Sequence, residues 1–75
     1  MIFQTVCDLL GQITGWEVAR MSMKTVILED MEATADDLHE LLLALESEFD
    51  LTWDDETAEE MTTIGHIVHY IEENI

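Results

Sequence analysis

The chain has 75 residues, 48% of them hydrophobic, with 18 acidic side chains against 2 basic ones and a formal charge of −16. That length fits one domain, read over residues 1–75, with a small core, and the apolar share is too high for a disordered chain. The charge excludes ordinary nucleic-acid binding and anionic membranes, whose phosphates would repel such a surface, and it favours basic protein partners steered in by the field.

In chain order, the first element is an amphipathic helix. Ile2, Val6, Leu9, Leu10 and Ile13 recur at spacings of three and four, and Gly15 supplies the stop. Cys7 lies in this run and reads as a small core hydrophobe; a single cysteine gives no internal disulfide. Residues 16–31 show no clean period, yet Val18, Met21, Val26, Ile27, Leu28 and Met31 are too apolar for a free linker. They read as a long loop laid over the core. The second helix carries the stripe Leu38, Leu41, Leu42, Leu45 and Phe49. Its start, Thr34-Ala35-Asp36-Asp37, fits a capping box, with Thr34 as cap and Asp37 reaching back. Asp36 and Asp37 also suit the positive end of the helix dipole. A short acidic piece, residues 56–60, reads as about one helical turn with Ala58 and Met61 inward. The last helix repeats the pattern through Ile64, Ile67, Val68 and Ile71, capped by Thr62 or Thr63. Together these predict an all-α fold, a small four-helix bundle of three main helices and one short one with a long first connection. No stretch reaches the apolar length of a membrane span, and the start lacks a secretory pattern, so a cytoplasmic monomer is expected.

Catalytic and metal chemistry is hard to place. An EF-hand reading from Asp50, Thr52 and Asp54 fails at its sixth position, Asp55, and its twelfth, Met61. His66 and His69 are three apart but lack further ligands, and His39 stands alone. Ser22 and Ser47 have no base near them in sequence. Trp16 and Trp53 read as partial core at loop edges. The residues point to no enzyme and to no metal site.

The stretch LEDMEATADDLHELLLALESEFD, residues 28–50, resembles acyl carrier proteins, whose corresponding stretch reads V-E-D-L-G-A-D-S-L-D followed by an acidic, leucine-rich helix. Leu28-Glu29-Asp30-Met31, Asp37, Glu40-Leu41, Ala44-Leu45-Glu46 and Glu48-Phe49 carry the match without a gap. Downstream, residues 53–71 are similar to the family's I-P-D-E stretch and final helix, with Trp53 at its Ile and Asp54 at its Pro. The resemblance covers essentially the whole chain and implies the carrier fold. It also implies an acidic helix that docks on basic surfaces of the phosphopantetheinyl transferase and acyl-handling enzymes, here through Asp36, Asp37, Glu40 and Glu46. A cavity for short acyl chains among Leu41, Leu42, Leu45, Ile64 and Val68 is implied as well, with plain core packing as the alternative.

The departure falls at the functional centre. The family's Asp-Ser-Leu is Thr34-Ala35-Asp36 here, and its serine holds the 4′-phosphopantetheine arm. Ala35 has no hydroxyl, so the cofactor expected for the family cannot attach to this chain as written. Three readings stay open. The chain is an acyl carrier protein of fatty acid, lipid or polyketide synthesis whose serine has been exchanged for alanine; or a natural serine-less homologue that binds or regulates without carrying; or, more distantly, an acidic mimic of nucleic acid that occupies a basic protein.

Overall fold

The computed structural model describes residues 2–75; residue 1 of the expected 1–75 domain lies outside the described residues. Five α-helices follow one another: α1 (Ile2–Thr14), α2 (Ile27–Asp30), α3 (Ala35–Phe49), α4 (Asp55–Glu59) and α5 (Ile64–Asn74), with a 3-10 turn at Val18–Arg20 after α1. No strand forms among the described residues.

Periodicity explains the three long helices. Each turns one apolar stripe inward, and the stripes meet: Val6, Cys7 and Leu10 from α1, Leu41, Leu42 and Leu45 from α3, and Ile64, Ile67, Val68 and Ile71 from α5 are all buried. α1 packs along both α3 and α5. Burying one such aliphatic side chain contributes roughly 1.5–3 kcal/mol, which is how a small chain offsets its ordering entropy.

The helix ends follow local rules. Gly15 takes φ 80°, a left-handed step that closes α1 as its N–H donates to the Gly11 carbonyl at 2.9 Å. Thr63, not Thr62, caps α5, its Oγ1 accepting from the His66 N–H at 3.0 Å. Asp54 caps α4 by accepting from the Thr57 N–H at 2.7 Å. That backbone bond holds its carboxyl below the usual aspartate range.

The first connection differs from a plain loop. It contains the 3-10 turn and α2, and it is sewn to the start of α5. The Ile27 N–H donates to the Thr62 carbonyl (3.0 Å), the Ile64 N–H to Thr25 (3.1 Å) and the Gly65 N–H to Met23 (2.9 Å). Val26 and Thr63 form an isolated antiparallel bridge. Gly65 is required by this approach, since a Cβ there would lie 2.7 Å from the Met23 carbonyl oxygen. Met21, Ile27 and Met31 of this connection are buried in the core. One-turn elements carry no readable period, and the partners that order them lie far along the chain.

Candidate functional site: the N-terminus of helix α3

The approach to α3 is set by Glu32, whose backbone is left-handed at φ 53°. The chain then extends through Thr34 and enters the helix at Ala35. The capping box forms as the sequence predicts. Thr34 Oγ1 accepts from the Asp37 N–H at 3.1 Å, and Asp37 Oδ2 accepts from the Thr34 N–H at 3.1 Å. The helix thus satisfies two of its own orphan donors with its own side chains.

Ala35 is exposed and ends in a methyl group. It borders a depression of about 230 Å³ that also touches Leu38, Leu42 and Ala58. Asp36 and Glu40 are exposed one turn apart on α3. Asp37 is half-buried in the cap. Glu46 is half-buried too, and its Oε2 accepts from the Trp53 N–H at 3.2 Å. The four acidic residues singled out by sequence therefore divide. Asp36 and Glu40 face outward, while Asp37 and Glu46 also hold backbone.

Leu41, Leu42, Leu45, Ile64 and Val68 are all core side chains, each 5% exposed or less. Of these five, Leu42 borders the depression of about 230 Å³; a larger opening, about 590 Å³, is walled by Val26, Leu28, Leu38, Ala58 and Met61. The reason is geometric. Leu42 lies on the side of α3 turned towards α4, where it shares a depression with Ala58, while Leu41, Leu45 and Ile64 are fully buried in the core.

Sequence reasoning missed the role of Trp53. Its Nε1–H donates to the Leu42 carbonyl at 2.8 Å, and its ring stacks on Tyr70 with centroids 4.5 Å apart. Tyr70 in turn donates to the Thr52 carbonyl at 3.1 Å. The one available signal was an aromatic directly before a helix-capping aspartate. His66 Nδ1 lies 3.1 Å from Thr62 Oγ1, and His69 Nδ1 lies 3.8 Å from the Glu72 carboxylate. Among the described residues, no three of His, Cys, Asp and Glu come together to hold a metal ion. Cys7 is buried, and desolvation, aided by Asp8, pushes its thiol pKa up, away from nucleophilic use. Among the described residues, no helix is long and apolar enough to cross a membrane.

No protein-family model matches the chain. Curated relatives do: it is 35% identical over 71 residues to the acyl carrier protein of Clostridium acetobutylicum, covering 95% of this chain and 92% of that one. It is 31% identical over 74 residues to the acyl carrier protein of Thermotoga maritima, covering 99% and 91%. The chain belongs to the acyl carrier protein family. Its fold agrees, superposing on the acyl carrier protein from Enterococcus faecalis with a TM-score of 0.86 at 30% identity, over 99% of this chain and 94% of that one. Acyl carrier proteins are carriers rather than enzymes, and the chain belongs to that non-enzymatic family.

Members of the family in general carry phosphopantetheine, and here the residues at the helix start do not fit that group. Attachment needs a nucleophilic hydroxyl, and Ala35 offers only a methyl. The neighbouring hydroxyl, Thr34 Oγ1, is held in the cap by the Asp37 N–H. The exposed Asp36 carboxylate adds a negative charge next to the position where a phosphodiester would sit, which is electrostatically unfavourable.

Proposed function

We propose that this carrier-family chain is a docking module that meets its partners through the acidic face of α3 and carries no acyl group on residue 35. Asp36, Asp37, Glu40 and Glu46 are the docking residues, and their partners are the basic surfaces of the phosphopantetheinyl transferase and of acyl-handling enzymes of fatty acid, lipid or polyketide synthesis. Such charged contacts set orientation and on-rate more than affinity. The chain works as a monomer in the cytoplasm.

The observation that carries the reading is Ala35: the scaffold supports the family's fold, and the one position that would hold cargo lacks the atom that holds it. Two variants of the reading differ only in history. If the alanine replaces a serine in an otherwise ordinary carrier, restoring the serine restores carriage of acyl intermediates. If the chain lacks the serine by nature, it regulates or binds without carrying. Thr34 and Asp36 favour the second, because two further positions of the family's Asp-Ser-Leu have also changed.

The test is Ala35→Ser, incubated with coenzyme A and a phosphopantetheinyl transferase beside an ordinary carrier protein. The unchanged chain is expected to keep its mass throughout. Gain of one arm by the serine variant supports an otherwise intact carrier. A serine variant that stays unmodified, while the ordinary carrier is modified in the same tube, supports the non-carrying homologue. Modification of the unchanged chain would overturn the reading altogether.

A further inference from the structure

We propose that the depression on the exposed side of α5 is an exchangeable site for a late first-row divalent metal ion, zinc or copper, chelated by the imidazoles of His66 and His69. Ala35 is not among its walls, and the site stands independently of the docking reading above.

The face follows from the helix period. α5 turns Ile64, Ile67, Val68 and Ile71 inward. His66, His69, Tyr70 and Glu73 stay outside, and their spacing of three, four and seven puts them on one stripe. The corner between α4 and α5 brings Glu60, Met61 and Thr62 beside that stripe, and together they line a depression of about 590 Å³. Tyr70 is a wall rather than a ligand, since its hydroxyl donates to the Thr52 carbonyl at 3.1 Å.

Two observations make the histidine pair a chelate. First, both rings are exposed on the same stripe and line the same depression. Side chains three apart on a helix stand about 5–6 Å apart at Cβ, and ligands at that spacing on one helix serve a common metal centre in carboxylate bundles. Second, each ring has an oxygen near Nδ1. Thr62 Oγ1 lies 3.1 Å from Nδ1 of His66, and the Glu72 carboxylate lies 3.8 Å from Nδ1 of His69. An oxygen there favours a proton on Nδ1 and leaves Nε2 as a bare lone pair, which is how metal-ligating histidines are oriented. Spacing alone gave a bare pair; the fold adds the oxygens and the depression.

Imidazole nitrogen selects the class of ion. Calcium and magnesium take oxygen ligands, and the 18 acidic side chains attract them over the whole surface. Zinc, nickel and copper accept imidazole, copper the most tightly. No three of His, Cys, Asp and Glu converge among the described residues, so the two nitrogens are the whole protein ligand set and water completes the coordination. Glu60 and Glu73 line the same depression, and their negative charge favours a cation there. Two ligands make a site that loads and unloads, whereas a structural zinc is held by four.

The probe is zinc chloride, titrated calorimetrically into the whole chain with calcium chloride in large excess, so that the carboxylates are already occupied. One zinc ion per chain is expected to bind. His66→Ala and His69→Ala are each expected to weaken it by at least the roughly ten-fold that losing an outer-shell partner costs, and His39→Ala, on α3, is expected to leave it unchanged. Both rings are exposed, so the variants keep their fold, which circular dichroism checks. With copper(II) in place of zinc, electron paramagnetic resonance is expected to show coupling to two imidazole nitrogens, reduced to one by either substitution. Zinc binding that excess calcium abolishes, or that both variants retain, would give the ion to the acidic surface and overturn the site. Loss in only one variant would leave a single imidazole and overturn the chelate. A chain that doubles in mass with zinc in the ultracentrifuge would show the ion bridging two copies, which overturns it as well.

Discussion

At position 32 a glutamate holds φ 53°, a conformation that costs a side-chain-bearing residue roughly 1–2 kcal/mol. The carrier pattern V-E-D-L-G has its glycine at this place, and glycine adopts the region freely. Part of the gain is lost to the greater freedom of an unfolded glycine chain. Glu32→Gly is therefore expected to stabilise the fold by about 0.5–1 kcal/mol, raising the thermal midpoint by a few degrees for a domain of this size; a calorimetric midpoint that falls would show that Glu32 has a stabilising contact outweighing its strain. Cys7 makes the opposite case, a reactive type made quiet by its surroundings. Its thiol pKa is raised by burial and by the Asp8 charge. A folded pKa above the unfolded one gives a contribution that is full below the ordinary thiol range and lost as pH climbs through the folded value. Iodoacetamide at mildly alkaline pH is expected to leave the native protein unlabelled and to alkylate Cys7 once denaturant unfolds it, which mass spectrometry reads directly. The capping pair Thr34 and Asp37 was legible from residue types and spacing alone, because a cap is a local bond. The left-handed Glu32 was not, because nothing in a glutamate signals positive φ.

Among the elements, α3 is the one the sequence describes best and α2 the one it describes least. The apolar stripe of α3 is periodic over 15 residues; α2 has four residues, too few for any period, and is placed by hydrogen bonds to the start of α5. The connection from α3 to α4 is held at Trp53 and by the Tyr70 hydroxyl on the Thr52 carbonyl. Trp53 ties it to α3 through the Leu42 carbonyl and the Glu46 carboxylate, and to α5 through Tyr70. Trp53→Phe keeps a ring for the stack and loses the indole N–H, leaving the stability lower by about 1 kcal/mol. Chemical denaturation checks this, and an unchanged midpoint would mean the bond to Leu42 contributes nothing. The same element explains why the acidic site is only half as free as its sequence suggests. Glu46 looks like any other surface glutamate on the helix, and only the fold of residues 50–54 brings a backbone N–H to it.

For the whole molecule the dominant physical fact is charge. With −16 on 75 residues, the folded state concentrates like charges that the unfolded chain spreads apart, and self-repulsion destabilises it. Raising sodium chloride from about 10 mM to 150 mM shortens the screening length from roughly 30 Å to 8 Å. The thermal midpoint is expected to rise over that range; one that falls or stays level would show that repulsion is not what limits stability. Sequence by itself determined the helical bundle, the long helices and their caps, the acidity of α3 and the missing hydroxyl at Ala35, since periodicity, capping and the presence of an atom are local properties. Tertiary structure decided the ordering of residues 16–31, the commitment of Glu46 to backbone, and the open side of the bundle between α3 and α4. These depend on which distant residues meet, and a side chain's freedom or a groove's depth is a property of both walls together.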